Sequence, residues 1–144
     1  HRRELPLDKK GELVKAHPDF HLVISYNPGY QSLMKDLKQS TKQRFGALDF
    51  DYPESEIEAE IVARESGVDA EIAGKLVEVA LRSRNLKGHG LDEGMSTRLL
   101  VYAGQLISKG IEPIAACRLA LVRPLTDDPD MRDTLDAAVH TFFD

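Results

Sequence analysis

The chain has 144 residues, of which 42% are hydrophobic and 30% are charged, and its formal net charge is −5. This size and composition suit a soluble globular protein with a real core and exclude a disordered chain. The acidic balance disfavours nucleic acid as a partner, because proteins that track phosphates carry a concentrated positive field.

No run approaches the roughly 18 apolar residues of a membrane span, and no signal-peptide pattern occurs, so we expect a cytoplasmic protein without a membrane span. The chain begins at His1 without an initiator Met, and we expect it to be part of a longer protein.

Residues 1–52 alternate strand signals with one helix. Two short strands on either side of the turn Asp8–Gly11 predict a hairpin. The β-branched and aromatic run over 20–26 predicts a central strand that is covered on both faces. A helix over 32–45 and a short strand over 47–52 are predicted to follow.

From Pro53 onward the apolar spacing becomes helical, and the pattern predicts five helices and no strand over 53–144. The buried face of the first helix is predicted to carry Ile57, Ile61 and Val62. The helix starts are marked by capping residues or a first-turn proline, at Asp69, Ser96, Pro113 and Asp128.

Most searches for catalytic or metal-binding motifs are negative. The single cysteine, Cys117, excludes an internal disulfide and lies in an apolar run, so we predict that it is buried. The five histidines have no metal-ligand spacing, and we predict no metal site in this stretch. The sequence contains no G-x-x-x-x-G-K-[ST] loop of the kind that cradles phosphates.

Three polar residues are candidates for a functional site. Asn27 follows the apolar strand, where ligands bind in open α/β sheets, although Asn-Pro-Gly is also an ordinary turn. Arg44 is placed at the end of the predicted helix, where a cation also complements the helix dipole. Arg98 is predicted in the first turn of a helix, where a cation opposes the dipole, which suggests contact with an external anion.

Four segments resemble one protein family: LVISYNPGYQ (22–31), LKQSTKQRF (37–45), KGHGLDEGMSTRL (87–99) and DDPDMR (127–132). They are similar to the MoxR class of AAA+ ATPases, in particular to its CbbQ/NirQ/NorQ branch. The resemblance implies an α/β region followed by an all-α region. Residues 1–52 would be the second half of the AAA+ αβα nucleotide-binding core, and 53–144 the C-terminal helical lid bundle.

The resemblance also implies roles for the three residues. Asn27 would be the sensor-one residue that orients the attacking water. Arg44 would be an arginine finger that acts in trans on a neighbouring subunit, although Gln43 stands where the family often has Asp. Arg98 would be the sensor-two arginine, which contacts nucleotide from the lid.

The function implied is that of an ATP-hydrolysing, chaperone-like protein that activates a metalloenzyme, either Rubisco or nitric oxide reductase. Such a protein forms a hexameric ring, binds ATP and Mg²⁺ mainly through upstream motifs, and works with a von Willebrand A-type partner. This stretch alone is predicted to be inactive as an ATPase. The alternative is a non-catalytic helical protein-interaction module in which Arg44 and Arg98 are surface cations. A third hypothesis, a nucleic-acid binder, is disfavoured by the negative net charge.

Overall fold

The structure, a computed structural model, describes residues 3–25, 40 and 43–144. The chain divides into two compact units, His1–Leu48 and Asp49–Asp144. The functional boundary that the sequence suggests after residue 52 stays a prediction.

The first unit contains the predicted hairpin. Strand β1 (Glu4–Leu7) pairs antiparallel with strand β2 (Glu12–Lys15). Gly11, in the turn between them, has a φ of +63°, a left-handed conformation that favours glycine. The Arg3 guanidinium donates to the backbone oxygen of Phe20 at 2.8 Å, which ties the chain after β2 to its beginning. The hairpin prediction is confirmed.

The other two predicted strands are not formed in the described residues. Residues 20–25 and 47–52 have no strand geometry, and Val23 and Leu48 are 87% and 83% exposed. A strand needs a neighbour for its backbone N–H and C=O groups, and beyond the hairpin no described residue supplies one. The strand predictions are therefore wrong for the described residues, and a complete αβα core is not shown.

Most of the helix predicted over 32–45 lies outside the described residues, and so does Asn27. Residues 43–45 form a turn and a bend, so the predicted helical end at Phe45 is wrong.

The second unit is helical, and the structure describes all of it. Its elements are α1 (Ser55–Ser66), α2 (Ala70–Asn85), α3 (Thr97–Ser108), α4 (Pro113–Cys117), a π-helical turn (Arg118–Val122), α5 (Arg123–Leu125) and α6 (Pro129–Phe143). The three elements between Pro113 and Leu125 follow one another without a break, so they form one helical segment with a π-turn inside it. The prediction of five helices and no strand over 53–144 is confirmed, apart from one isolated bridge between Lys87 and Leu91.

The helix ends follow local capping rules. The side chains of Asp69 and Asp128 each accept a hydrogen bond at 2.8 Å from the backbone N–H three residues later, which confirms both predicted caps. Ser96 precedes α3 as predicted, but its side chain makes no capping hydrogen bond. Gly67 ends α1 with a φ of +80°.

The core of the second unit is formed by apolar side chains from most of its helices. Fully buried members include Val62, Leu76, Val79, Ala80, Leu100, Ala103, Cys117, Leu121, Leu135 and Val139. Burial raises the pKa of the Cys117 thiol to about 12, and the nearby charge of Glu112 adds to the shift. The prediction that Cys117 packs as a small hydrophobe is confirmed.

The buried face of α1 differs from the prediction. Val62 is buried, but Ile57 is 53% exposed and Ile61 is 36% exposed. The buried stripe instead includes Glu58 and Ser66, which lie four residues on either side of Val62. Both polar groups are satisfied, because Glu58 is hydrogen-bonded as described below and the Ser66 hydroxyl donates to the Val62 carbonyl at 2.6 Å. The prediction is therefore wrong for the two isoleucines.

Candidate functional site

Arg98 lies in the first turn of α3, as predicted, and its side chain is exposed. It makes no hydrogen bond or ion pair with any residue that the structure describes. The N-terminal end of a helix carries a partial positive charge, so a cation there is placed unfavourably unless an anion lies close to it. The position therefore suits contact with an external anion such as a phosphate group.

The loop that leads into α3, residues 86–96, is fixed by buried side chains. Leu91 and Met95 are 3% and 0% exposed, and the Gly88 N–H donates to the Leu91 carbonyl at 2.8 Å. Gly88 and Gly90 have φ values of +79° and +109°, where residues with a side chain are strained. The glycines and the buried anchors give this loop one defined path to the start of α3.

A buried ion pair lies beside the start of α3. The Nη1 and Nη2 groups of Arg84 on α2 donate to the two carboxylate oxygens of Glu58 on α1, each at 2.7 Å. The Glu58 side chain is fully buried and that of Arg84 is 10% exposed. The Tyr52 ring covers the guanidinium, with 3.6 Å between Arg84 Cζ and the ring centroid. This geometry combines a bidentate ion pair with a cation–π contact.

The same ion pair holds the start of α3 directly. The Thr97 hydroxyl donates to Glu58 Oε1 at 2.6 Å, and Arg84 Nε donates to the Met95 carbonyl at 3.0 Å. The Met95 N–H in turn donates to the Ser83 hydroxyl at 2.9 Å. The first residue of α3 and the last buried residue before it are therefore both fixed. We refer to Tyr52, Glu58, Arg84 and Thr97 together as the Arg84 cluster.

The charge state of Glu58 follows from these contacts. Burial by itself would raise the pKa of the carboxyl group. The hydrogen bonds from Arg84 and Thr97, together with the charge of Arg84, outweigh burial and hold the pKa of Glu58 below its ordinary value. Glu58 is therefore ionised at neutral pH, and the cluster contains a full carboxylate–guanidinium pair.

Gly94 allows the loop to pass close to Arg84. A Cβ atom at residue 94 would lie 2.6 Å from Arg84 Cγ and 2.8 Å from Arg84 Cα, closer than carbon atoms can approach. Glycine is thus required here by the space that Arg84 occupies.

The sequence does not single out Glu58 or Arg84, because each looks like an ordinary charged residue on a helix surface. A signal for Glu58 exists, since it lies four residues before Val62 on the buried stripe of α1. Nothing in the helical spacing pairs it with Arg84, which follows 26 residues later.

Of the other two predicted site residues, the structure describes Arg44 alone. Arg44 is exposed in a turn of the first unit, whereas Arg98 belongs to the second. Asn27 lies outside the described residues. The roles of all three residues stay predictions.

Neither of the two best-formed surface grooves of the second unit is lined by Arg98. One, of about 270 Å³, lies between the 86–96 loop and α5, and the other, of about 340 Å³, lies between α2 and α6. In the described part of the chain, no three His, Cys, Asp or Glu side chains are grouped as a metal site. The described helices also include none that is long and apolar enough to span a membrane.

A helical bundle that presents an exposed arginine at a helix start is consistent with the C-terminal lid region of an AAA+ ATPase. Comparison with known sequences gives the family. The chain belongs to the CbbQ/NirQ/NorQ C-terminal family, which matches residues 58–142 and is related to the MoxR class of AAA+ ATPases. This match confirms the resemblance seen in the sequence.

Individual relatives support the family assignment over almost the whole chain. Over 99% of its own length, the present chain is 74% identical to Protein CbbQ of Hydrogenophilus thermoluteolus. It is 53% identical to the denitrification regulatory protein NirQ of Pseudomonas aeruginosa over 89% of its length, and 52% identical to Protein NorQ of Paracoccus denitrificans over 91%. The matches cover 54%, 49% and 48% of these relatives, so the chain spans about half their length.

Proposed function

We propose that this chain is the C-terminal part of an ATP-hydrolysing, chaperone-like AAA+ protein that activates a metalloenzyme. The observation that carries the proposal is the exposed Arg98 at the start of α3, within the segment that matches the CbbQ/NirQ/NorQ C-terminal family. An arginine suits this task because it stays charged and offers a planar set of donors to phosphoryl oxygens.

In this proposal Arg98 is the sensor-two residue, which binds nucleotide from the lid of its own subunit. Arg44 is the arginine finger, which stabilises the charge that develops on the phosphoryl group in a neighbouring subunit. The exposure of the Arg44 side chain supports a role at a subunit boundary. Asn27 is the sensor-one residue, which orients the attacking water.

ATP and Mg²⁺ are proposed to bind mainly outside this stretch. The 144 residues contain no phosphate-cradling loop, which supports this placement of the nucleotide and its metal ion. We therefore expect the 144-residue chain by itself to release no phosphate from ATP. In the whole protein, the nucleotide site would be completed by segments outside this stretch, since the chain covers only 54% of the relative Protein CbbQ.

The proposed assembly is a cytoplasmic hexameric ring that works with a von Willebrand A-type partner on a client metalloenzyme. The client is Rubisco or nitric oxide reductase. The higher identity to Protein CbbQ than to NirQ or NorQ supports grouping this chain with CbbQ. Activation assays of each inhibited client with the whole protein and its partner would distinguish the two.

The test of the proposal is Arg98→Ala in the whole protein. We expect weaker equilibrium binding of a non-hydrolysable ATP analogue, because the lid loses its cation for the phosphates. Arg64→Ala is the matched control, since Arg64 is also exposed but lies in the last turn of α1, at the far end from the Arg84 cluster. Unchanged binding by Arg98→Ala would contradict the sensor-two role.

The alternative function, a non-catalytic helical interaction module, is favoured by one observation. Ile57 and Ile61 leave an apolar stripe exposed on α1. This alternative predicts that Arg98→Ala binds the ATP analogue as the unmodified protein does, so the same experiment separates the two functions.

A further inference from the structure

The Arg84 cluster joins three parts of the second unit through one buried ion pair, Arg84–Glu58. Tyr52 lies in the segment that leads into α1, Glu58 is on α1, and Thr97 begins α3. Three of the five N–H groups of Arg84 are bonded to Glu58 and Met95, the Tyr52 ring covers its face, and its side chain is only 10% exposed. With so little of its surface exposed, we expect the effect of Arg84 on a ligand to pass through another residue.

The cluster determines the direction in which Arg98 points. Successive residues of a helix are turned by about 100°, so anchoring Thr97 inward directs its neighbour Arg98 away from the core. The Thr97 hydroxyl is anchored to the buried carboxylate at 2.6 Å, and Arg98 is exposed. The bond from Arg84 Nε to the Met95 carbonyl fixes the chain on the other side of Ser96. Rotation or sliding of the first turn of α3 would break both contacts.

A buried ion pair is a poor means of gaining stability alone, because well-packed apolar residues do as well or better. Its advantage here is directional, since the planar guanidinium and the carboxylate fit in one orientation only. An apolar contact at the same place would allow the first turn of α3 to rotate.

We propose that Glu58 and Arg84 are positioning residues that hold Arg98, through Thr97 and Met95, in the orientation in which it binds nucleotide phosphate. This inference rests on the proposed function of Arg98. It adds a second layer to the site that consists of residues without ligand contact.

The test is a double-mutant cycle in the whole protein that combines Thr97→Val with Arg98→Ala. Valine keeps the shape of threonine and removes only the hydroxyl that binds Glu58. We expect Thr97→Val to weaken binding of a non-hydrolysable ATP analogue by about three- to tenfold, and to have no further effect once Arg98 is absent. Thr97→Ser is the control, because serine keeps the hydroxyl, and this variant is expected to bind the analogue as the unmodified protein does.

A second variant tests the ion pair itself. Arg84→Lys keeps the charge but cannot form two parallel bonds with the carboxylate. We expect it to show the same dependence on Arg98 as Thr97→Val does. Val139→Ala, a core substitution on α6 that lowers the melting temperature without touching the cluster, is expected to bind the analogue normally.

The outcomes separate this inference from the proposed function. If Arg98→Ala weakens binding but Thr97→Val and Arg84→Lys do not, the positioning role is wrong and the sensor role stands. Losses that persist in the Arg98→Ala background, or that Val139→Ala reproduces, also overturn the positioning role. If Arg98→Ala is itself silent, the proposed function fails and the positioning role fails with it.

Discussion

Arg84 uses its guanidinium in a way that lysine cannot reproduce. Two of its nitrogen atoms meet both oxygens of Glu58, a third meets the Met95 carbonyl, and its face lies under the Tyr52 ring. A lysine ammonium is a point charge without a plane to stack or a fork to match a carboxylate. The choice of residue type at position 84 is thus explained by contacts that come from three separate segments.

The lowered pKa of Glu58 predicts how stability depends on pH. A carboxyl group with a lowered folded-state pKa stabilises the fold fully above its ordinary pKa of 4.5, and this stabilisation is lost as the pH falls through the lower folded-state value. We expect the free energy of unfolding to fall as the pH drops below about 5, and to fall less steeply in Glu58→Gln. Urea unfolding of both proteins across this range measures the difference.

Glu112 serves as an internal reference in that experiment. Its carboxylate accepts hydrogen bonds from the Ile114 and Ala115 N–H groups, and these bonds also lower its pKa. Because Glu112 is present in both proteins, its contribution to the pH dependence cancels. Parallel curves for the unmodified protein and Glu58→Gln would mean that the pKa of Glu58 is the same in the folded and unfolded states, which would contradict the prediction.

Cys117 is predicted to be unreactive while the protein is folded. Its thiol is fully buried, and burial raises its pKa to about 12, so the thiolate that attacks a disulfide reagent is scarce at pH 8. We expect labelling by a thiol reagent to be slow in buffer and fast in urea. Fast labelling in buffer would show that the helical segment over 113–125, which contains Cys117, opens readily.

At the scale of elements, the helices were predictable because their signals are local. Helix ends are marked by Asp69, Asp128 and Gly67, each of which bonds to a backbone group no more than four residues away. The structure confirms the helix ends predicted at these three residues. The buried face of α1 was not predictable in this way. Its two isoleucines outrank Glu58 in hydrophobicity, and the partners that make burial of the carboxylate possible, Arg84 and Thr97, lie far away in sequence.

The strand predictions over 20–26 and 47–52 were wrong for a related reason. The run over 20–26 has the composition of a buried strand, but a sheet is formed by pairing with other segments, which local composition does not specify. The hairpin succeeded because its two strands are adjacent in sequence and joined by one turn.

Packing between α1 and α3 leads to a prediction at the same scale. A Cβ atom at Gly104 would collide with the Ser66 hydroxyl and lie 2.7 Å from Ser66 Cβ. We expect Gly104→Ala to destabilise the protein by about 1–3 kcal/mol, because the two helices have to move apart. Chemical unfolding provides the measurement.

Gly74, in the interior of α2, is the matched control. Among the described residues, a Cβ atom there meets nothing within 4 Å. Gly74→Ala is therefore expected to stabilise the protein by about 0.5–1 kcal/mol through helix propensity alone. If both substitutions change stability in the same direction, the close approach of α1 and α3 does not determine the cost at Gly104.

For the molecule as a whole, the candidate site could be predicted only in part. The place of Arg98 in the first turn of α3 follows from a local helix signal, and the structure confirms it. The Arg84 cluster that holds this turn depends on contacts between segments far apart in sequence. Arg44 and Arg98 lie in different compact units, and the roles of both residues stay predictions.

Arg44 leads to a prediction about that assembly. In the proposed ring it acts on the nucleotide of the neighbouring subunit, and arginine fingers contribute roughly 10³-fold or more to turnover. We expect Arg44→Ala to abolish most ATP hydrolysis by the whole protein while leaving binding of an ATP analogue nearly unchanged. The physical reason is that the finger stabilises charge that develops only in the transition state.

Mixing subunits shows whether Arg44 acts across the interface. Rings formed from Arg44→Ala subunits and subunits inactivated only in their phosphate-binding loop should regain part of the activity. In such a ring, an intact nucleotide site of the first kind lies beside an intact Arg44 of the second kind. If mixed rings form but stay as inactive as either parent, Arg44 does not act in trans. The exposed Arg44 would then be a surface cation, as the interaction-module alternative holds.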